Sequence, residues 1–214
     1  MKNKFLTVAF VFVSLIASAQ YGYRDANRIG IIFGLNQINL NTKNFTSTPE
    51  LGWNVGLSVR GNFYNDFDMV YTMQFSENKF TVPTTNFFLK KEDINYKLPS
   101  AQISLMLSYK IVENHLSVEF GPLVQVNGKF VIDTTEEDNK ISGTTLLAKD
   151  IVDISKFNFY PAIGITAGVK HVRANIQYQY GVTNLLGNLN GQEGISTNFK
   201  SHPGIISVNI IAYL

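Results

Sequence analysis

The chain has 214 residues, no cysteine, 18 basic against 16 acidic residues and a formal net charge of +2. So even a balance makes no electrostatic case for nucleic acid, and without cysteine there is neither a disulfide framework nor a thiol for a lipid anchor. Mean hydropathy is +0.03, and beyond the N-terminus no apolar run approaches the roughly 20 residues of a spanning helix. That excludes a helical membrane protein but not a membrane β-barrel, whose polar interior residues dilute the hydropathy.

Met1-Lys2-Asn3-Lys4 is followed by a 12-residue apolar run, Phe5 to Ile16, and then by Ala17-Ser18-Ala19. A basic start, a short apolar stretch and a small-residue site read as a secretory signal over residues 1–19. Cleavage is expected between Ala19 and Gln20. Lys2 and Lys4 then leave with the signal, so residues 20–214 form one neutral domain.

The next elements share one pattern, alternation with period two, the mark of extended strands with two different faces. Ile29, Ile31, Phe33 and Leu35 form the first greasy row, and Leu51 to Val59 with Phe63 the second. Phe67 to Phe75 form the third. The fourth contains Ala101, Ile103, Leu105, Leu107 and Tyr109, but Ile94, Tyr96 and Leu98 before it lie on the opposite parity. That phase break predicts a bulge near Pro99. Leu116 to Val126, Phe157 to Val169, Val172 to Val182 and Ile206 to Leu214 bring the number of strands to eight. Pro122 and Pro161 lie within strands, and each lacks a donor for the ladder.

The connections alternate in length. Long ones are expected at 38–50, 78–93, 131–155 (read as polar) and 185–203, with tight turns at 65–66, 113–114 and 170–171. In an up-and-down meander this gathers all long loops at one end, as in outer-membrane barrels. The polar rows decide which face meets which solvent. They carry Gly, Asn, Ser, Gln and Thr, not the Lys and Glu of a water-facing surface, whereas the greasy rows are almost free of charge. A cationic side chain in a lipid-facing row costs about 2–4 kcal/mol at the midplane. Phe63, Phe67 and Tyr109 near the turns, and Trp53, Phe75, Phe130 and Phe157 near the loops, resemble two interfacial girdles. Hydrocarbon supplies no hydrogen bonds, so the last strand must pair with the first. The fold class is therefore all-β: an eight-stranded antiparallel up-and-down transmembrane β-barrel in an outer membrane.

Three segments carry a resemblance: "INYKLPSAQISLMLSYKI" (94–111), "LSVEFGPLVQVNGKF" (116–130) and "IQYQYGVTNL" (176–185). They resemble the Tyr-x-x-x-Pro strand, the Gly-Pro strand and the Tyr-x-x-Gly-x-Thr-Asn corner of the Bacteroidota outer-membrane barrel family typified by PorT. The resemblance spans residues 20–214 and implies an eight-stranded outer-membrane barrel, in most members without an assigned activity. One departure is the end of the chain. Such barrels commonly close on an aromatic residue, and here Tyr213 comes one place before the final Leu214.

On the polar rows lie Arg60, Asp68, Lys110, Glu119, Lys170 and Arg173. Arg60 and Glu119 sit at the same height above their turns, which predicts a pair across the interior with Arg173 and Asp68 below. An eight-strand interior is only wide enough for side chains, and buried charges must be paired. The cluster Arg60, Asp68, Glu119 and Arg173 is accordingly read as a structural plug rather than an ion path. "DTTEEDN" (133–139) lacks the spacing and glycine of a calcium loop, and His115, His171 and His202 lack metal-ligand spacing. Ser196, His202 and Glu193 share one polar loop without further signs of a catalytic set. No catalytic, cofactor or metal residue is assigned, and the chain is read as non-enzymatic.

The reading is a closed barrel whose long loops serve binding or envelope structure. The partners implied are outer-membrane lipid, the outer-membrane assembly machinery and an extracellular or envelope protein. Two alternatives are a soluble periplasmic or secreted barrel carrying an apolar ligand, and an accessory component of protein secretion. A membrane barrel is expected to migrate differently on gels before and after boiling in detergent; identical mobility would favour the soluble carrier.

Overall fold

The computed structural model describes residues 27–191 and 198–214; the expected signal at 1–19, Glu193 and Ser196 lie outside them. The strands are β1 (Arg28–Asn39), β2 (Thr48–Tyr64), β3 (Phe67–Thr85), β4 (Lys91–Val112), β5 (Leu116–Asn127), the two-residue β6 (Lys140–Ile141), β7 (Phe157–Gly168), β8 (Val172–Tyr180) and β9 (Gly204–Tyr213). All but β6 form a ring of antiparallel neighbours. It closes where β9 pairs with β1, from Gly30↔Tyr213 to Asn39↔Gly204. No backbone edge of the ring is left for lipid to solvate.

The faces are those of a barrel in oil. Ile176, Tyr178 and Val208 are 59 %, 44 % and 49 % exposed, whereas Gln177 and Asn209 between them are 8 % and 2 % exposed. A soluble carrier requires the reverse, so that alternative falls. The small residues of the polar rows make room inside: a Cβ on Gly34 would collide with the Asn209 side chain.

No bulge occurs at Pro99. β3 and β4 pair without a register shift from Phe67↔Tyr109 to Thr85↔Lys91. Ile94, Tyr96 and Leu98 point inward on the same side as Gln102 and Ser104. The geometry keeps its phase and the chemistry changes. On β3 the outward row passes from Phe75 to Glu77 and Lys79, while the inward row passes from Ser76 and Asn78 to Phe80 and Val82. Leu35, Trp53, Glu77 and Pro99 are successive cross-strand partners around the ring. On β1 to β4 that line marks the edge of the hydrocarbon; because barrel strands tilt, the same rung continues through Val208, Ile176 and Ile165 on the lipid face. A tilted spanning strand takes roughly 9–11 residues, the length of β8 and β9 (9 and 10), whereas β3 and β4 have 19 and 22 and run on into water. Past the rung, burial favours apolar groups inside and polar groups outside.

The expected loop at 78–93 is therefore a hairpin, with only residues 86–90 between its strands. The loop at 38–50 likewise shrinks to 40–47. The connection 131–155 is not simply polar, because Ile141, Leu146, Ala148, Ile151 and Ile154 are buried in one apolar cluster with Ile38, Leu40, Phe80, Tyr96 and Leu98. Phe130, expected in a girdle, belongs to this cluster, 5.0 Å edge-on to Phe80, which stacks on Tyr96 at 5.2 Å. Pro122 and Pro161 are direct cross-strand partners. Their missing donors fall where the neighbouring ladders lapse, between Ser104↔Leu123 and Leu107↔Phe120 on one side and before Ala162↔Gln179 on the other.

Ile163→Lys, on the lipid face, is expected to cost about 2–4 kcal/mol, whereas Thr81→Lys, on the same outward parity past the rung, should be near neutral. Urea unfolding in bilayers checks both; equal costs would put the hydrocarbon edge elsewhere.

Candidate functional site

Two places concentrate chemistry: the interior at the turn end and the cap at the loop end. At the turn end, β2 and β3 are joined at Asn65, which holds φ 45°, and β4 and β5 at Asn114, φ 59°. Asparagine tolerates this left-handed backbone better than most residues. These turns bring Arg60, Asp68, Ser108 and Glu119 to neighbouring heights. Arg60 Nη1 lies 3.1 Å from Asp68 Oδ2 and donates to Ser108 Oγ at 2.9 Å, while its Nη2 pairs with Glu119 Oε1. Lys110 Nζ is 3.5 Å from the other oxygen of Asp68. Asn175 Nδ2 donates to Glu119 Oε2 at 3.3 Å, and Asn209 Nδ2 to Asn175 Oδ1 at 3.0 Å.

Of the expected cluster, Arg60, Asp68 and Glu119 are joined in one network. Arg173 is buried beside it without an ion pair to either carboxylate. Lys170 departs from expectation: it sits in the tight turn with an exposed side chain, and only its carbonyl takes part, accepting from Arg28 at 3.0 Å. Tyr213 points inward, its hydroxyl 3.0 Å from Ser58 Oγ.

Above this tier come a small apolar patch of Val70, Met106 and Ala162 and then inward side chains that are mainly hydroxyls and amides. Thr72 pairs with Ser104 at 2.6 Å, Ser76 with Ser100 at 2.8 Å, and Gln102 donates to Gln125 at 2.6 Å. Above them lies the apolar cluster of the cap.

The cap is built by loops that hold one another. Asn184, in the Tyr-x-x-Gly-x-Thr-Asn corner, donates to Phe199 O at 2.8 Å and accepts from the backbone of Leu186 and Ser201. Its neighbour Thr183 accepts from Asn158 Nδ2 at 2.7 Å and from Phe159 N at 3.0 Å. Asn44, from the β1–β2 loop, donates to Asn198 O at 3.0 Å and accepts from Lys200 N at 3.1 Å. Tyr96 donates to Ala148 O at 3.0 Å.

The acidic stretch 133–139 does not converge on a ligand. Thr135 donates its N–H and hydroxyl to Asp133, holding that carboxyl below the usual range. Asp138 pairs with Lys149 at 2.6 Å and raises the ammonium pKa. Partial burial, Asp133 and Glu92 push Glu136 up. His115, His171 and His202 stand apart, each with Nδ1 at a different backbone carbonyl. Among the described residues no three His, Cys, Asp or Glu groups are placed to share a metal ion.

One feature escaped the sequence reading. At the tip of the β3–β4 hairpin, Phe87, Phe88 and Leu89 are 94 %, 86 % and 84 % exposed. The turn presenting them is ordered. Asn86 Oδ1 accepts from Phe88 N and Lys90 N at 2.9 and 3.0 Å, and Leu89 is held at φ 59°. The available signal was three consecutive large apolar residues in a segment expected to be loop.

Glu119→Ala leaves the Arg60 guanidinium short of one carboxylate and is expected to cost about 3–5 kcal/mol, while planar-bilayer conductance of both proteins stays near zero. An open channel in the unsubstituted chain would contradict a plugged interior.

No protein-family model matches the sequence, and no curated protein sequence does either. Solved structures do match in three dimensions. The outer-membrane protein OprG of Pseudomonas aeruginosa superposes over 88 % of this chain and 96 % of its own, with TM-score 0.51 and 8 % identity. Ail, the attachment invasion locus protein of Yersinia pestis, solved with the heparin analogue sucrose octasulfate, covers 88 % and 99 %, with TM-score 0.49 and 12 % identity. Neisserial surface protein A covers 87 % and 96 %, with TM-score 0.47 and 12 % identity. At such identities the likeness is one of fold, and OprG carries it. Together with the exposed apolar band, that fold makes this chain an eight-stranded β-barrel of an outer membrane.

Proposed function

We propose that the chain is a non-enzymatic, closed outer-membrane barrel that works as a rigid stalk, presenting a folded cap and an apolar hairpin tip to a partner outside the cell. The observation that carries this reading is the tip. Three large apolar side chains stand in water on an ordered turn, beyond strands that continue past the hydrocarbon edge. Contiguous exposed apolar groups mark interaction sites in stable proteins. A Leu held in the left-handed region is an uncommon choice where glycine fits without strain. Function in such barrels resides in the grafted loops rather than in the fold.

The finer family assignment rests on the three segments resembling the PorT-typified Bacteroidota barrels. In this reading residues 1–19 direct export, the outer-membrane assembly machinery inserts the barrel, and outer-membrane lipid surrounds it. An accessory role in secretion has no residue here to support it.

Orientation and contact can be tested together. The chain has no cysteine, so Thr135→Cys and Asn114→Cys each introduce a unique label site. On intact cells only Thr135→Cys should react with a membrane-impermeant maleimide; the reverse pattern overturns the orientation. Replacing Phe87 and Phe88 by Ser and Leu89 by Gly should lower attachment of displaying cells several-fold while the heat-shifted gel band is retained. Unchanged attachment would remove the tip from the proposal.

A further inference from the structure

Just past the hydrocarbon edge, a groove beside β3 and β4 places cations nearer the oil and carboxylates nearer the water. Its walls include Lys79, Asn95, Lys97, Val131, Asp133 and Glu136, and its volume is about 510 Å³. Lys79 and Lys97 are direct cross-strand partners on the outward face. They lie two residues beyond Glu77 and Pro99, the partners at the edge. Two residues of strand rise about 6–7 Å, which is about 5 Å along the membrane normal for a strand tilted near 45°. The headgroup layer is about 5–7 Å deep on each side of the hydrocarbon. Both ammoniums therefore stand among lipid headgroups, above the exposed greasy rows of Met73, Phe75, Ile103 and Leu105.

The two poles of the groove are each only half satisfied. Like charges directly opposite each other on a sheet repel. Lys79 is relieved, with its Nζ 3.2 Å from Glu77 Oε1 and Glu50 facing it from β2. Lys97 forms no ion pair among the described residues. Val131 pairs with Lys97 through backbone bonds of 3.0 and 2.8 Å, and the chain goes on to Asp133 and Glu136. Glu136 is near enough to Glu92, five residues farther out on β4 than Lys97, to feel its charge. The carboxylates of the acidic stretch do not meet at one point, but these two share the groove with the lysines. Asp133 is occupied by two bonds from Thr135. Glu136 is half-buried, crowded by Asp133 and Glu92, and without an ion pair among the described residues. One open ammonium and one open carboxylate thus line one groove without pairing with each other.

We propose that this groove seats the headgroup of a membrane lipid carrying an aminoethyl phosphate. Its phosphate lies on Lys97 and Lys79, its ammonium is turned to Glu136 and Asp133, and its acyl chains lie on the greasy rows of β3 and β4. The order of charges matches that of the ligand, whose phosphate adjoins the oil and whose ammonium lies beyond it. Asn95, outward on β4 between the poles, supplies an amide. A purely anionic headgroup satisfies Lys97 and is repelled by Glu136. A fully methylated ammonium carries the charge but cannot donate the charge-assisted hydrogen bond. The groove is independent of the hairpin tip; it rests on the hydrocarbon edge at Glu77 and Pro99.

The test is native mass spectrometry of the whole barrel released from nanodiscs. These contain phosphatidylethanolamine, phosphatidylglycerol and phosphatidylcholine in equal amounts with matched acyl chains. One retained lipid per barrel is expected, with phosphatidylethanolamine enriched several-fold over the other two. Glu136→Gln should bring phosphatidylethanolamine down to the level of phosphatidylglycerol, and Lys97→Gln should lower retention of both. The heat-shifted gel band checks that each variant is folded, and should one fail, the other carries the comparison. Soluble phosphoethanolamine at millimolar concentration should not displace the lipid; displacement would make the ligand a free small molecule and overturn the lipid site. Equal retention of the three lipids, no retained lipid, or enrichment undiminished in a folded variant would overturn it as well.

Discussion

Hydrocarbon cannot accept or donate a hydrogen bond, and the rest of this structure depends on that. Every amide of a strand crossing the bilayer must find its partner in the next strand, so the sheet has to return to its start. The pairing of β9 with β1 is that return. Closure then creates an inside and an outside for each strand, and period-two geometry sends alternate side chains to each. The outside is oil, so Ile, Leu, Val and Phe go there. The inside is narrow, so it is filled by hydroxyls, amides and a few charges, many of them bonded to one another across the ring.

The same sheet leaves the oil without breaking. At the rung of Leu35, Trp53, Glu77 and Pro99 the β3–β4 ladder continues unchanged, and β2 shifts its register on β3 between Trp53 and Glu50, while the outward face turns polar and the inward face turns apolar. Below the rung the barrel is a membrane protein with a polar core; above it, a water-soluble protein with a greasy one. The apolar cluster around Phe80, Tyr96 and Phe130 is the core of that second regime, and the long loops are tied over it. A cap with its own core fixes the shape of the far end; in the proposed role of the apolar tip, a fixed shape leaves little ordering entropy to be lost on contact.

Apart from two small apolar patches, around Ile32 and Ile211 and around Val70, Met106 and Ala162, the interior grades from charge to amide to hydrocarbon along the barrel axis. Charges sit nearest the turns, where Arg60 gathers Asp68, Glu119 and Ser108. This order follows desolvation costs: an ion is least costly near an aqueous mouth, a neutral amide is tolerable deep inside when bonded, and an apolar group gains most under the cap. Breaking a pair in the charged tier exposes the remaining partner to the full cost, whereas the amide tier has several donors and acceptors that can rearrange.

Much of this was legible in the chain, and what was not has a physical cause. Alternation showed strand number, the run of short turns against long loops and, from the chemistry of the two rows, lipid outside and polar groups inside. Height above the turns was enough to bring Arg60 and Glu119 together. These inferences succeed because side-chain direction along a strand is a local property of the backbone. The shift at Pro99 was misread as a bulge because a phase change in polarity looks the same in sequence whether the backbone slips or the solvent changes; only cross-strand register separates the two. Likewise Lys170 lost its place inside because a turn ended the strand before it, and Arg173 came to rest beside the carboxylates rather than on them. Sequence by itself determined which way each strand residue faces and what surrounds the barrel; tertiary structure alone decided where the oil ends, which loops share a core and which buried charges meet, since these depend on distances across the ring that no local period encodes.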